Sequence, residues 1–140
     1  MVVVDGQGIP LGSLIDSASP AEVRLAEKTL AQISVPRGRK GRPKTRPARV
    51  IADKGYDSDP LRKRLKRRGI TLLSPYRKNR KNKRKQDRRM KDRYARRYKV
   101  ERTFAWLGSF RRLVVRYEHD VCVYTGFFHI ACFLITMRWL

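Results

Sequence analysis

Asp53 and Glu101 are the two residues whose type and setting could do chemistry. Asp53 lies in Val50-Ile51-Ala52-Asp53-Lys54-Gly55-Tyr56-Asp57, at the end of a short apolar run. Glu101 lies in Tyr94-Ala95-Arg96-Arg97-Tyr98-Lys99-Val100-Glu101 and is the only acid between Asp92 and Glu118. The chain carries 35 Lys and Arg against 12 acids, a formal net charge of +23 over 140 residues. Carboxylates kept inside so cationic a chain suit hard divalent cations, and such cations beside a polyanion are the requirement of phosphodiester chemistry. At least two carboxylates from different elements, with water and a substrate phosphate filling the remaining positions, make the expected ligand set. Both acids also have plain structural roles open to them. Asp53-Lys54-Gly55 is a turn sequence. A Glu with Arg at i−4 forms a surface ion pair worth roughly a few tenths of a kcal/mol.

The elements that must position these residues can be read along the chain. Residues 1–5 and 9–15 are two strands around the turn Asp5-Gly6-Gln7-Gly8, a hairpin pattern. Ser19-Pro20-Ala21-Glu22 is a capping box with Pro at the first helical position, and Val23, Ala26, Leu30 and Ile33 give the following helix one apolar face. Pro36 ends it. Residues 36–48 are a Pro/Gly/basic loop without periodicity, expected to be mobile until it meets phosphate. Arg49 to Ala52 form a strand with Asp53 at its carboxyl end, where open α/β sheets place their ligands. Asp57 reads as a turn residue and Asp59 as the N-cap of a helix that points Leu61 and Leu65 inward and stops at Gly69. Ile70 to Leu73 make the next strand, and residues 76–85 are a second basic loop. One long helix is expected from Gln86 to Leu113, with Arg97 one turn before Glu101 and Tyr94 two turns before it. A strand near Val114–Val121 and a terminal helix near 124–139 complete a mixed α/β domain.

Charge is unevenly spread. Residues 61–100 hold twenty Lys and Arg against Asp87 and Asp92, whereas residues 1–34 hold only Arg24 and Lys28 against four acids. A block that basic calls for a polyanionic partner, and nucleic acid fits better than an anionic membrane because the charges do not oppose a clean apolar helix face. Cys122 and Cys132 are too few for a secreted disulfide scaffold, which points to a reducing cytoplasm. Residues 121–137 lack Lys, Arg, Asp and Glu, but His129, Gly126 and two Thr favour a buried core helix over a membrane span. His119, Cys122, His129 and Cys132 are interleaved with Phe, Ile and Val rather than set on tight turns, so zinc is disfavoured. Trp106 and Trp139 read as core.

Two phrases carry a family resemblance: Ile51-Ala52-Asp53-Lys54-Gly55-Tyr56-Asp57-Ser58, and Tyr98-Lys99-Val100-Glu101-Arg102-Thr103-Phe104-Ala105-Trp106-Leu107 with Phe110-Arg111-Arg112-Leu113. They resemble bacterial insertion-sequence transposases of the DDE type, in the insertion-sequence-five branch of the insertion-sequence-four superfamily. The resemblance spans nearly all of residues 1–140, as a single domain. It implies a ribonuclease-H-like α/β fold with Asp53 as second catalytic aspartate and Glu101 as catalytic glutamate, both ligands of Mg²⁺ or Mn²⁺. Tyr94 and Arg97 match the Tyr-x2-Arg-x3-Glu signature, with Arg97 orienting Glu101. The family often has Lys seven residues after the glutamate; Gly108 stands there, and Arg111 or Arg112 could take its DNA contact, Arg112 being nearer the helical face of Glu101. Neither Asp5 nor Asp16 matches the first-aspartate motif, so the chain resembles a C-terminal part, N-terminally incomplete, with the first catalytic strand missing. The implied activity is metal-dependent DNA strand cleavage and transfer. The implied partners are insertion-sequence ends, target DNA, the upstream transposase frame and further copies on DNA, with no membrane, in the bacterial cytoplasm and nucleoid. The alternative is a non-catalytic, DNA-binding truncated transposase product.

Overall fold

A computed structural model of the protein describes residues 1–16, 22–38, 40–80 and 88–139. β1 (Val2–Val4) pairs antiparallel with β2 (Pro10–Ser13). The hairpin closes as its turn residues dictate: Asp5 Oδ1 accepts from the N–H groups of Gln7 at 2.7 Å and Ile9 at 2.9 Å, the self-bonding that favours Asp in turns. Gly8 sits at φ +87°, where a side chain would be strained.

Helix α1 (Glu22–Ala31) buries Ala26 and Leu30, and Ile33 just beyond it, as the three- and four-residue spacing predicts. The expected capping residues Ser19 to Ala21 lie outside the described residues. The loop after Pro36 has more order at its base than its composition suggests: Val35 and Lys44 exchange backbone hydrogen bonds of 2.9 and 2.8 Å.

β3 (Arg49–Ile51) runs parallel to β4 (Thr71–Leu73), with Val50 opposite Leu72. Helix α2 (Asp59–Arg67) makes the crossover that parallel strands need. Its N-cap is Ser58 rather than Asp59. Ser58 has extended backbone and its Oγ accepts from Leu61 N–H at 3.4 Å, while Asp59 is already helical. The helix ends as predicted at Gly69, φ +75°, where Ile70 N–H reaches Leu65 O and Gly69 N–H reaches Lys66 O, both at 2.9 Å. That pairing satisfies carbonyls the last turn would leave open.

Leu30, Leu61, Leu65 and Ile70 are no more than 2% exposed and form a first core on which Val3 and Leu11 of the hairpin and Val50 of β3 also pack. Each buried side chain contributes about 1.5–3 kcal/mol. The strands nonetheless form two separate two-stranded sheets, β1-β2 and β3-β4.

The second half departs further from expectation. The single helix expected from Gln86 to Leu113 is three: α3 (Arg88–Ala95), α4 (Tyr98–Gly108) and α5 (Arg111–Val114). At the first joint Arg96 N–H bonds Arg93 O, Arg97 N–H bonds Tyr94 O and Val100 N–H bonds Arg97 O, all i to i−3. This is the tighter 3₁₀ pattern. No strand follows at 114–121; α5 gives way to irregular chain before α6 (Val121–Met137), capped by Asp120 Oδ1 on Cys122 N–H at 2.7 Å. Nor is α6 a buried helix. Ala131 and Ile135 join Leu107 in a second, smaller core, but Val123, Ile130, Phe133, Leu134 and Met137 are 44–61% exposed. Among the described residues no helix is long and apolar enough to cross a membrane.

Candidate active site

Asp53 leaves β3 and caps a single 3₁₀ turn, Lys54–Tyr56. Its Oδ1 accepts from Gly55 N–H at 2.6 Å, and Oδ2 has no partner among the described residues. A Cβ on Gly55 would stand 2.8 Å from that Oδ1, so only glycine leaves the carboxylate in place. The carbonyl of Asp53 accepts from Ser74 Oγ at 2.6 Å, and Ser74 is 2% exposed. Arg77 donates to the carbonyls of Lys54 at 3.3 Å and Gly55 at 2.8 Å. The half-buried carboxylate is therefore presented by a loop held at both ends.

Four residues on, Asp57 plays a different part from the turn residue expected. Its side chain is 2% exposed and pairs with Arg62 at 3.0 Å and Arg80 at 2.7 Å. Its second oxygen accepts from Arg77 N–H at 2.9 Å. Arg62 also donates to the carbonyls of Leu72 and Ser74, tying α2 to the end of β4, and Tyr76 lies under Arg80 with 4.5 Å to the ring centroid. Arg80 bonds Asp59 as well, and this hydrogen bond is the main cause holding the Asp59 carboxyl below its ordinary value. An open groove of about 600 Å³ beside this hub is lined by Asp57, Asp59, Arg77 and Arg80, not by Asp53. Sequence reasoning missed the hub, because Arg62, Arg77 and Arg80 stand at no regular spacing from Asp57.

Glu101 projects from α4 with its side chain 48% exposed and pairs with Arg97 at 2.5 Å. The Arg97 guanidinium also lies 5.9 Å from the ring centroid of Tyr94, so Tyr94, Arg97 and Glu101 stay together although the helix is broken between them. Phe104 beside them is 53% exposed, so this face is less packed than its apolar neighbours suggest. The opposite face of α4 holds the hairpin turn: Lys99, Arg102 and Thr103 donate to the carbonyls of Gly6, Gln7 and Gly8, the Thr103 bond at 2.5 Å. Arg102 further stacks over Trp106 and Trp139 at 4.9 and 5.9 Å. Trp139, expected in the core, is 48% exposed.

The family model described as transposase DDE domain matches residues 1–135. The chain belongs to the transposase DDE-domain family. It is 35% identical over 134 residues to a Burkholderia cepacia protein named "Putative transposase for insertion sequence element IS402". That match covers 96% of this chain and 60% of the relative. No solved structure matches.

DDE transposases generally use divalent metal ions. Asp53 and Glu101 have the hard oxygen donors such ions take, and Oδ2 of Asp53 is open to one. They fit part of a coordination shell. Among the described residues, no group of three or more His, Cys, Asp or Glu is brought together to hold an ion. Asp53 belongs to the loop over the first core, and α4, which carries Glu101, packs with the second. Of the two arginines named for the DDE phosphate contact, Arg112 is engaged, bonding Glu118 at 2.6 Å and lying 4.9 Å from the Phe127 ring centroid. Burial alone would raise the Glu118 carboxyl, but bonds from Arg112 and the backbone overcome it and hold it below its ordinary value. Arg111 is exposed and has no such partner among the described residues. Of the His and Cys residues near α6, Cys122 is exposed, whereas burial pushes the Cys132 thiol up to about 11.

Proposed function

We propose that this chain is the C-terminal part of the catalytic domain of an insertion-sequence DNA transposase. It would act within a ribonuclease-H-like fold whose first aspartate, and the strand bearing it, come from another segment. The observation that carries the proposal is the Asp53 corner: a carboxylate with one oxygen tied down by Gly55 and the other open, in a chain of net charge +23. Asp53 and Glu101 would hold Mg²⁺ or Mn²⁺ together with that aspartate. Bound divalent ions would help activate the attacking oxygen and stabilise the leaving one. The chain's own residues do the positioning. Gly55, Ser74 and Arg77 fix the direction of Asp53. Arg97 orients Glu101 and, with Tyr94, lines its approach. Arg111, with Arg112 and the basic loops, grips the phosphate backbone, a largely sequence-independent contact. Water would cleave the element's end to leave a 3′-OH, which then attacks target DNA in a direct transesterification.

A second reading, a truncated product that binds DNA without cutting it, is favoured by the absence of a three-carboxylate set among the described residues. One assay separates the two. The purified chain binds DNA with affinity falling steeply as salt rises, and cuts only when a segment bearing the missing aspartate is supplied with Mg²⁺. Asp53→Ala or Glu101→Ala abolishes that cutting while leaving DNA binding intact. Cutting that survives both substitutions would overturn the assignment of the carboxylates; no cutting in any combination supports the truncated product.

A further inference from the structure

The loop between α1 and β3 has a mirrored sequence: Val35-Pro36-Arg37-Gly38-Arg39-Lys40-Gly41-Arg42-Pro43-Lys44. Val35 and Lys44 pair as antiparallel partners. Counting inward along the sequence from that bridge matches Pro36 with Pro43, Arg37 with Arg42, and Gly38 with Gly41; the bridge itself joins Val35 and Lys44. Arg39 lies outside the described residues. The two prolines have no N–H to extend the ladder, and they stiffen both limbs. Arg37, Lys40 and Arg42 are exposed and have no hydrogen-bond or ion-pair partner among the described residues. Like charges gathered on one short loop repel one another unless an anion lies between them.

Gly41 stands at φ +153°, where a side chain would be strained; Gly38 needs another reason. Nothing lies within 4 Å of a Cβ built on Gly38 or Gly41, so no neighbour in the chain demands their smallness. Gly38 does not have positive φ either. At Gly38, close approach to an external surface is the remaining use of a bare backbone. Phosphate gripping alone would not require it, since Lys and Arg reach phosphates from any surface. A narrow groove would. The minor groove is about 6 Å wide, degenerate in hydrogen-bond code, and narrower and more negative along A·T tracts, where it attracts inserted arginine. Arginine is more weakly hydrated than lysine and sheds its water more readily there.

We propose that residues 35–38 and 40–44 are the two limbs of an arm that enters the minor groove of A·T-rich duplex DNA, with Arg37 and Arg42 as its reading pair. The proposal rests on the transposase reading for its DNA substrate, and adds a base preference that phosphate contacts do not give. The test measures binding of the whole chain to A·T-only and G·C-only duplexes of equal length, across a range of salt. The A·T duplex binds about tenfold more tightly, and netropsin, which occupies A·T minor grooves, removes the difference. The double variant Arg37→Lys/Arg42→Lys keeps the charge and the salt slope but binds both duplexes alike. Equal binding by the unaltered chain, or a preference that survives the lysine variant, overturns the arm and leaves the transposase reading standing. Binding to neither duplex overturns both.

Discussion

Asp53 and Asp57 share one loop and have opposite fates. Asp57 is sealed between Arg62 and Arg80 with both oxygens satisfied; Asp53 keeps one oxygen open. Removing a buried charge strands its partners, so Asp57→Ala should cost about 3 kcal/mol. Asp53→Ala loses one capping bond and should cost about 1 kcal/mol. Urea unfolding of the two variants measures the contrast, and equal losses would show that Asp53 is also structural. The place of Asp53 at the end of β3 was legible from the apolar run before it. Asp57 was not, because its partners lie 5, 20 and 23 residues away. Which of several nearby arginines folds back on it is decided by packing rather than by local pattern.

At the scale of elements, strands and helices with local punctuation were read correctly. The hairpin has Asp5 and Gly8, and α2 stops at Gly69 as expected, although its cap is Ser58, one residue before the expected Asp59. The joint between α3 and α4 has neither Gly nor Pro, so periodicity ran straight across it. Helix α4 is instead anchored from outside, by three carbonyls of the hairpin turn. These contacts join residues more than ninety positions apart, which no window along the chain would reveal. Thr103, 1% exposed, is the buried member. Thr103→Val keeps the shape, leaves Gly8 O unpaired and should cost about 1–2 kcal/mol. Hydrogen exchange should quicken first at the amides of residues 6–9 while those of α2 hold. Uniform loss of protection would mean the turn is no separate anchor.

Across the whole molecule, charge and apolar surface are segregated. Much of the chain is strongly cationic, while one face of α6 is uncharged and open, with Ile130 and Phe133 55% and 61% exposed. An apolar face of this kind on a lone soluble chain favours association, and a net charge of +23 opposes it by keeping copies apart. Composition alone marked residues 121–137 as apolar but could not say which side would find a partner.

Ionic strength would therefore act on that α6 face as well as on the proposed DNA grip. Added salt would release a bound polyanion and, by the same screening, silence the repulsion between copies. If the proposed DNA grip is real, the solution that strips nucleic acid from the protein is the one in which it clusters. Light scattering should rise as DNA is displaced, and Ile130→Glu/Phe133→Glu should keep the stripped chain monomeric. A chain that stays monomeric in high salt without those changes would show that the open face is inert.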